Sequence, residues 1–241
     1  MSYGKITSAA LDPVEKKPFV KFHPGSLILS VGTFGCNMDC PFCQNYEIAG
    51  AGEVDVPTRG VSPTELAALA DELRGRGNIG VAYTYNEPLV GWEFVRDSAA
   101  EVKKRGLKNA AVTNGSVSAE TLSELLPYID AYNIDLKGFT DEYYRKLGGD
   151  LEAVKEFIKT AASEAHVELT TLIVPGENDG DDEMAALSAW VASVDRKIPL
   201  HLTRFFPRRL MSDRKPTETA LLRRLAEIAA KRLDTVVMGN V

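Results

Sequence analysis

Three cysteines are the residues whose type and spacing point most directly to chemistry. Cys36, Cys40 and Cys43 are the only cysteines among the 241 residues, and they are spaced Cys-x3-Cys-x2-Cys. A thiolate is a soft anionic ligand that suits iron–sulfur clusters and zinc. The odd number of thiols and their crowding in one stretch argue against a disulfide framework. The spacing therefore predicts a metal centre held by this stretch.

Two kinds of metal centre are compatible with three thiolates. A structural zinc ion normally takes four protein ligands, so a zinc site would need a histidine from among His23, His166 and His201. A 4Fe-4S cluster bound by three thiolates keeps one iron without a protein ligand, and that iron can bind a substrate or cofactor. We favour the cluster and keep the zinc site, with three cysteines and one histidine, as the alternative.

Polar side chains recur where the predicted strands end. Strands buried on both faces of a parallel sheet are expected to be mainly apolar, and the carboxyl ends of barrel strands share one face. We therefore expect these polar residues to meet at the mouth where the cysteines lie. They are Asn86 and Glu87, Thr113 and Asn114, Asp135 and Lys137, and His201 and Arg204. Strand alternation places His201 on one face of its strand and Arg204 on the other.

Alternating strands and helices position these residues. Ser62, Pro63 and Glu65 supply an N-cap, a proline at the first helical position and a capping-box glutamate for the first predicted helix. The alternation predicts parallel strands with right-handed crossovers. The predicted strands are 26–31, 80–85, 109–113, 131–136, 167–174 and 199–204, with helices at 62–74, 89–105, 118–128, 140–165 and 181–194 and from 216 onward, and a last strand at 235–238 near the N-terminal segment.

Composition narrows the class of protein. Hydrophobic residues make up 44% and charged residues 26%, an ordinary globular balance. The net charge of −6, with the basic residues scattered, gives no reason to expect a nucleic-acid partner. No apolar run approaches the roughly 18 residues of a membrane span, and the first residues lack a secretion signal. We expect a cytoplasmic protein without a membrane partner, in a reducing compartment that suits free thiols.

The cysteine stretch resembles the Cys-x3-Cys-x-aromatic-Cys signature of the radical S-adenosylmethionine superfamily, with Phe42 as the aromatic residue. The flanking residues 32–35 and 44–45 are similar to the branch that includes pyruvate formate-lyase activating enzyme and the AmmeMemoRadiSam group. The similarity runs from about residue 3 to residue 241. It implies an α/β fold, a partial TIM barrel of the (β/α)6 type over residues 26–241 with a short β extension at residues 1–25 outside the barrel. It also implies two cofactors, a 4Fe-4S cluster and S-adenosylmethionine.

The resemblance also implies roles for individual residues. Glu87 stands where the family's Gly-Gly-Glu-Pro motif holds the amino group of S-adenosylmethionine, although Tyr85 and Asn86 replace the two glycines. Val112 replaces an aspartate that helps to hold a monovalent cation in the activating enzymes. The full set of implied cofactor contacts is Phe42, Asn86, Glu87, Thr113, Asn114, Asp135, Lys137, Val174, His201 and Arg204.

Most of these contacts have an expected partner on the cofactor. Thr113 and Asn114 are assigned to the carboxylate or the ribose, Asp135 to the ribose or the methionine group, and Lys137 to the carboxylate. Val174 is assigned to the adenine. Phe42 is expected to shield the cluster and to pack on the adenine. His201 or Arg204 is expected to replace a histidine that the family often has near position 206.

The resemblance further implies the reaction. One electron from an external donor of the flavodoxin or ferredoxin type cleaves S-adenosylmethionine to methionine and a 5′-deoxyadenosyl radical, which abstracts a hydrogen atom. No catalytic residue is expected beyond the cluster and the cofactor. The radical's target is expected to be a glycine of a partner enzyme, as for a glycyl-radical activase. The alternatives are a peptide or small molecule and, in a different class, a zinc-binding module without catalysis.

Overall fold

An eight-stranded, mostly parallel sheet organises the chain in the computed structural model, which describes residues 2–241. The strands are β1 (Lys5–Ile6), β2 (Ser8–Pro13), β3 (Leu27–Gly32), β4 (Arg59–Gly60), β5 (Asn78–Tyr83), β6 (Lys108–Thr113), β7 (Ala131–Asp135), β8 (His166–Ile173), β9 (Leu200–Arg204) and β10 (Val236–Gly239). The large sheet has the order β10-β9-β8-β7-β6-β5-β3-β2. Only β2 pairs antiparallel within it, and β1 with β4 forms a separate antiparallel pair. The expected α/β fold with parallel strands is confirmed.

Helices alternate with the parallel strands, as the sequence predicts. They are α1 (Tyr46–Ala49), α2 (Pro63–Glu72), α3 (Trp92–Lys104), α4 (Ala119–Leu125), α5 (Asp141–Lys146), α6 (Leu151–Glu164), α7 (Asp181–Asp195) and α8 (Thr219–Ala230). Ser62 and Glu65 form the predicted capping box at the start of α2, because each side chain accepts a hydrogen bond from the other residue's backbone N–H. Among the described residues, none of the helices combines the length and the apolar character that crossing a membrane requires.

The predicted helix 140–165 is wrong in one respect, since the structure divides it into α5 and α6. The two helices are separated by Gly148, which has a φ of +75°, a backbone conformation that favours glycine. A Cβ at Gly149 would lie 2.2 Å from Cε of Met38. The turn also accepts a hydrogen bond at the Leu147 carbonyl from the backbone N–H of Asp39, at 2.9 Å. The interruption therefore lets the α5–α6 turn pack against the cysteine stretch.

The two edges of the sheet leave the barrel open. The last strand, β10, pairs in parallel with β9, and its residues 237–239 line the same cavity as residues 15–18 of the N-terminal segment, near which it was expected. It occupies the edge opposite β2 in the strand order. Seven parallel strands therefore form the wall, one more than the six predicted strand-and-helix units.

Residues 2–25, the described part of the predicted extension 1–25, lie against the barrel, and not outside it as expected. β2 extends the large sheet by pairing with β3. After β2, the fully buried Phe19 and the nearly buried Phe22 join Val14 in an apolar cluster with barrel residues. Those barrel residues are Ile28, Ala82, Ala110 and Ala131, from four adjacent strands. Val14, Phe19 and Phe22 therefore pack inside the barrel, while the division into domains at residue 25 stays a prediction.

Candidate active site

A cavity of about 750 Å³ opens at the carboxyl ends of the strands. Its volume lies in the range that holds a cofactor or a drug-sized ligand. The cysteine loop, residues 33–45 between β3 and α1, contributes Cys36, Cys40 and Cys43 to the wall. Eight of the ten predicted cofactor contacts also line it: Phe42, Asn86, Glu87, Thr113, Asn114, Asp135, Lys137 and His201. The structure thus brings most of the predicted site together.

The three cysteines are free thiols on one side of the cavity. Cys40 is buried, and Cys36 and Cys43 are partly exposed. Burial raises the pKa of the Cys36 thiol to about 11, and a bound metal offsets this cost by stabilising the thiolate. Three soft ligands facing one cavity fit a cubane cluster with one open iron. Within residues 2–241, no three His, Cys, Asp or Glu side chains are gathered as they would be around a single metal ion.

Two asparagines from strand ends hold the cysteine loop. Asn86 accepts a hydrogen bond at Oδ1 from the backbone N–H of Thr33, and its Nδ2 donates to the carbonyl of Gly35; both distances are 3.0 Å. Asn114 donates through Nδ2 to Oδ1 of Asn37 at 2.8 Å. The amide groups of both residues are therefore engaged with the loop that carries the thiols. Their contacts with the cofactor stay predictions.

Glu87 is a buried carboxylate that faces the cavity, and its two oxygens accept three hydrogen bonds. Its Oε1 accepts from Thr113 Oγ1 at 2.7 Å and from the backbone N–H of Leu89 at 3.0 Å. Its Oε2 accepts from the backbone N–H of Asn114 at 2.7 Å. Burial raises the pKa of Glu87 to about 7, although these hydrogen bonds oppose the rise. Such a carboxylate is suited to a ligand that brings a positive charge into the cavity.

Tyr85 is a cavity residue whose importance the sequence did not reveal. Its φ of +76° is costly for a residue with a side chain. Gly32 makes room for the ring, because a Cβ there would lie 2.9 Å from Cδ2 of Tyr85. The hydroxyl donates to Asp12 Oδ2 at 2.9 Å, and Lys17 Nζ lies 4.2 Å from the ring centroid. The only sign of this in the sequence was that Tyr85 stands where the family motif has a glycine.

Asp135 and Lys137 form an ion pair at the end of β7. Lys137 Nζ lies 2.6 Å from Asp135 Oδ2. Burial lowers the pKa of Lys137, but the charges of Asp135 and Cys40 outweigh it and hold the pKa above its ordinary value. The backbone of Lys137 is fixed as well, since its N–H donates to Tyr144 Oη at 3.0 Å and its carbonyl accepts from Asn178 Nδ2 at 2.6 Å. The pair is a rigid dipole in the cavity wall.

His201 lies deeper in the barrel, beside Glu168. Its Nε2 is 2.6 Å from Glu168 Oε2. The fully buried Glu168 also contacts His166 Nε2 at 2.9 Å and accepts from the backbone N–H groups of Val20 and Lys21. These partners outweigh the effect of burial and lower the pKa of Glu168 to about 2. The sequence did contain a signal for this contact, because Glu168 is an acidic residue in the middle of the otherwise mostly apolar strand β8.

Two of the predicted cofactor contacts lie outside the cavity lining. Val174 is fully buried behind the wall, and its backbone N–H donates to Asn178 Oδ1 at 2.7 Å. Arg204 projects from the outer face of β9, as strand alternation requires. Its Nε donates to the Thr217 carbonyl at 2.6 Å, and its guanidinium lies 5.0 Å from the centre of the Phe206 ring. The side chains of Val174 and Arg204 therefore do not line the cavity that contains the other eight predicted contacts.

Comparison with known proteins decides the family. A model described as the Radical SAM superfamily matches residues 30–188, a span that contains the three cysteines, Glu87 and the Asp135–Lys137 pair. The chain belongs to the radical SAM superfamily. Members of the superfamily use a 4Fe-4S cluster and S-adenosylmethionine, so the predicted cofactors are confirmed.

Relatives of this radical SAM protein support the activating-enzyme likeness. An uncharacterised protein of Methanocaldococcus jannaschii is 36% identical over the whole chain and 72% of its own length. Pyruvate formate-lyase 1-activating enzyme of Escherichia coli is 32% identical over 155 residues, which are 61% of each protein. The match therefore spans less than two thirds of that enzyme.

Solved structures agree on the fold of the radical SAM protein. QueE from Escherichia coli matches 97% of the chain and 92% of its own, with a TM-score of 0.60 and 14% identity. A domain of a pyruvate formate-lyase-activating enzyme from Bacteroides vulgatus matches 66% of the chain and 98% of its own, with a TM-score of 0.58 and 18% identity. These likenesses confirm the partial TIM barrel.

Proposed function

We propose that this radical SAM enzyme cleaves S-adenosylmethionine reductively and uses the product radical to abstract a hydrogen atom. The observation that carries the proposal is the position of Glu87. Its buried carboxylate has no cationic partner within residues 2–241, and it lines the same cavity as the three thiols. The amino group of S-adenosylmethionine supplies the missing positive charge. Cys36, Cys40 and Cys43 would hold the cluster, which would supply one electron, received from an external donor, to break a carbon–sulfur bond of the sulfonium and release methionine.

The other cavity residues position the cofactor in this proposal. Asp135 and Lys137 offer a fixed acceptor and a fixed donor at the end of β7. Thr113 and Asn114 orient Glu87 through hydrogen bonds. Phe42, 4% exposed and next to Cys43, excludes water from the thiol side of the cavity. The residues thus bind, orient and shield, and the radical chemistry belongs to the cofactors.

We further propose that the radical's target is a glycine of a partner protein. The support is the likeness to the Escherichia coli activating enzyme, at 32% identity over 61% of each protein. Deuterium transfer tests the class of substrate: 5′-deoxyadenosine is analysed after turnover with a deuterated cell extract separated by size. Label acquired from the protein fraction supports a protein target, whereas label acquired only from the small-molecule fraction contradicts it.

Anaerobic reconstitution tests the reaction itself. We expect a brown protein with about four irons per chain that forms 5′-deoxyadenosine with a strong reductant and none without it. A colourless protein that binds one zinc ion and gives no cleavage would show that the alternative, a non-catalytic zinc module, is correct.

Replacement of the thiols is the first testable prediction. Each single change, Cys36→Ala, Cys40→Ala or Cys43→Ala, removes one of three ligands, so cleavage is expected to fall at least 100-fold and the iron content well below four. Glu47→Ala is the matched control, because Glu47 is an exposed residue of α1 on the same side of the molecule. Iron analysis and chromatography of 5′-deoxyadenosine provide the measurement. A cysteine variant with full iron and full activity would contradict the assignment of that ligand.

A further inference from the structure

A basic segment packs against the cysteine loop, and no part of the proposed reaction uses it, although one of its residues, Arg209, lines the cavity. This basic segment is residues 205–215, between β9 and α8, and it contains Arg208, Arg209, Arg214 and Lys215 against a single acidic residue, Asp213. The whole chain carries a net charge of −6. The segment is therefore positively charged, although the protein as a whole is negatively charged.

The basic segment contacts the cysteine loop directly. Arg209 Nη1 donates to the carbonyl of Cys40 at 2.8 Å, and the backbone N–H of Leu210 donates to the carbonyl of Pro41 at 2.9 Å. These hydrogen bonds connect the outer surface to the backbone of a thiolate ligand. The segment is thus joined by covalent and hydrogen bonds to Cys40, one of the three residues that would hold the cluster.

The outer face of the segment is free to bind a partner. Leu210 is 72% exposed, and Phe206 is 39% exposed nearby in the segment. Arg208 and Lys215 are exposed, and neither makes an ion pair in the part of the chain that the structure describes. Arg209 and Arg214, in contrast, pair with Asp39 and Glu177. An apolar centre with unpaired cations beside it is a pattern typical of small, transient interfaces.

We propose that the basic segment is the docking site for an acidic one-electron carrier protein, a proposal that rests on the proposed function because it names the partner of the same cluster. Charge complementarity selects the carrier's acidic surface, since the rest of this acidic chain repels it. Leu210 supplies the apolar contact at the centre. The carrier delivers one electron to the cluster and is itself oxidised by one electron, so the exchange balances.

Two reductants separate this proposal from the proposed function. The probe is a flavodoxin reduced by its reductase and NADPH, and the reference is dithionite, which needs no docking site. The test variant is Arg208→Glu with Lys215→Glu, neither of which lines the cavity or holds the cysteine loop. The matched control is Lys231→Glu with Arg232→Glu, two exposed residues just after α8, at the opposite end of that helix.

With subsaturating flavodoxin at low ionic strength, the test variant is expected to form 5′-deoxyadenosine at least about tenfold more slowly than the unmutated enzyme. Its rate with dithionite is expected to stay within about twofold. Added salt is expected to slow the flavodoxin-driven rate of the unmutated enzyme and to change that of the variant little. The reason is that salt screens the attraction between the two charged surfaces, with a Debye length of roughly 8 Å near 0.15 M ionic strength. Binding of oxidised flavodoxin, followed by flavin fluorescence anisotropy, weakens in parallel.

Three results would overturn the proposal: an unchanged flavodoxin-driven rate in the test variant, an equal loss in the control pair, or flavodoxin binding that does not respond to salt. Each of these leaves the dithionite reaction intact, so the proposed function survives. Absence of 5′-deoxyadenosine from the unmutated enzyme with both reductants would overturn the proposed function, and the docking proposal with it.

Discussion

At the scale of single residues, the site is defined by what Glu87 lacks. Three hydrogen-bond donors surround its carboxylate, yet burial still raises its pKa to about 7. Hydrogen bonds alone therefore do not offset the cost of removing the charge from water. A cationic group of the ligand would complete the compensation. A residue with this balance of forces is a marker of a binding site.

Glu87→Gln tests that role through affinity and its pH dependence. In the proposed role the ammonium of S-adenosylmethionine would bind the ionised carboxylate, and the pKa of about 7 means that Glu87 of the free site is increasingly protonated as the pH falls below 7. Affinity is therefore expected to rise between pH 6 and pH 8 in the unmutated protein. The variant is expected to bind about 10- to 100-fold more weakly at pH 8, the value of a hydrogen bond to a charged group, and to lose the pH dependence.

Isothermal titration of S-adenosylmethionine into the cluster-loaded protein provides the measurement, with iron content showing that the cluster is intact. Glu227→Gln, an exposed residue of α8, is the control and should match the unmutated protein. Equal affinity of the Glu87 variant at both pH values would remove Glu87 from the binding site.

At the scale of elements, the sequence predicts local structure well and long-range contacts poorly. The capping box at Ser62 lies within four residues, so the start of α2 could be predicted. The break after α5 depends on Met38, more than a hundred residues away, because Gly149 has no room for a side chain there. The same limit explains Glu168, whose partners at residues 20, 21 and 201 meet it only in the folded chain.

Glu168→Ala tests how the N-terminal segment is held in the barrel. The change removes the acceptor of two backbone N–H groups and of two histidines, so the free energy of unfolding is expected to fall by about 3–5 kcal/mol. The pKa of Glu168 is lowered to about 2, so its stabilising effect is present above its ordinary pKa of 4.5 and is lost as the pH falls towards 2. The difference between the two proteins should therefore shrink in acid.

Urea unfolding at pH 7 and at stepwise lower pH measures that difference. Glu156→Ala on the exposed surface of α6 is the control and should change stability by less than about 0.5 kcal/mol. Proteolysis within residues 14–25 is expected to accelerate in the Glu168 variant only. A loss of stability that stays constant down to pH 2 would contradict the ionic role of Glu168.

At the scale of the whole molecule, parallel strands explain why so much of the site could be predicted. Their carboxyl ends share one face, so polar residues at the ends of β5, β6 and β7 had to converge with the loop after β3. The exceptions have a physical reason as well. Arg204 lies on the outer face of its strand, and Val174 turns away because the backbone there is tied to Asn178.

Cluster removal tests whether the metal also stabilises the folded chain. Four parts of the chain contact the cysteine loop through a few hydrogen bonds: the turn after β5, the end of β6, the α5–α6 turn and the basic segment. A cluster that binds only the folded state adds stability by mass action, about 4 kcal/mol when free ligand is 1,000 times its dissociation constant. We therefore expect the melting temperature to fall by several degrees when the cluster is removed anaerobically with a chelator.

Calorimetry of the loaded and the stripped protein measures this shift. S-adenosylmethionine should raise the melting temperature of the loaded protein further if, as proposed, it is held by both the cluster and Glu87. The variant with all three cysteines changed to alanine should melt near the stripped protein and should not respond to the chelator. Equal melting temperatures with and without the cluster would mean that the cysteine loop is held fully by its protein contacts, and that the metal serves the reaction alone.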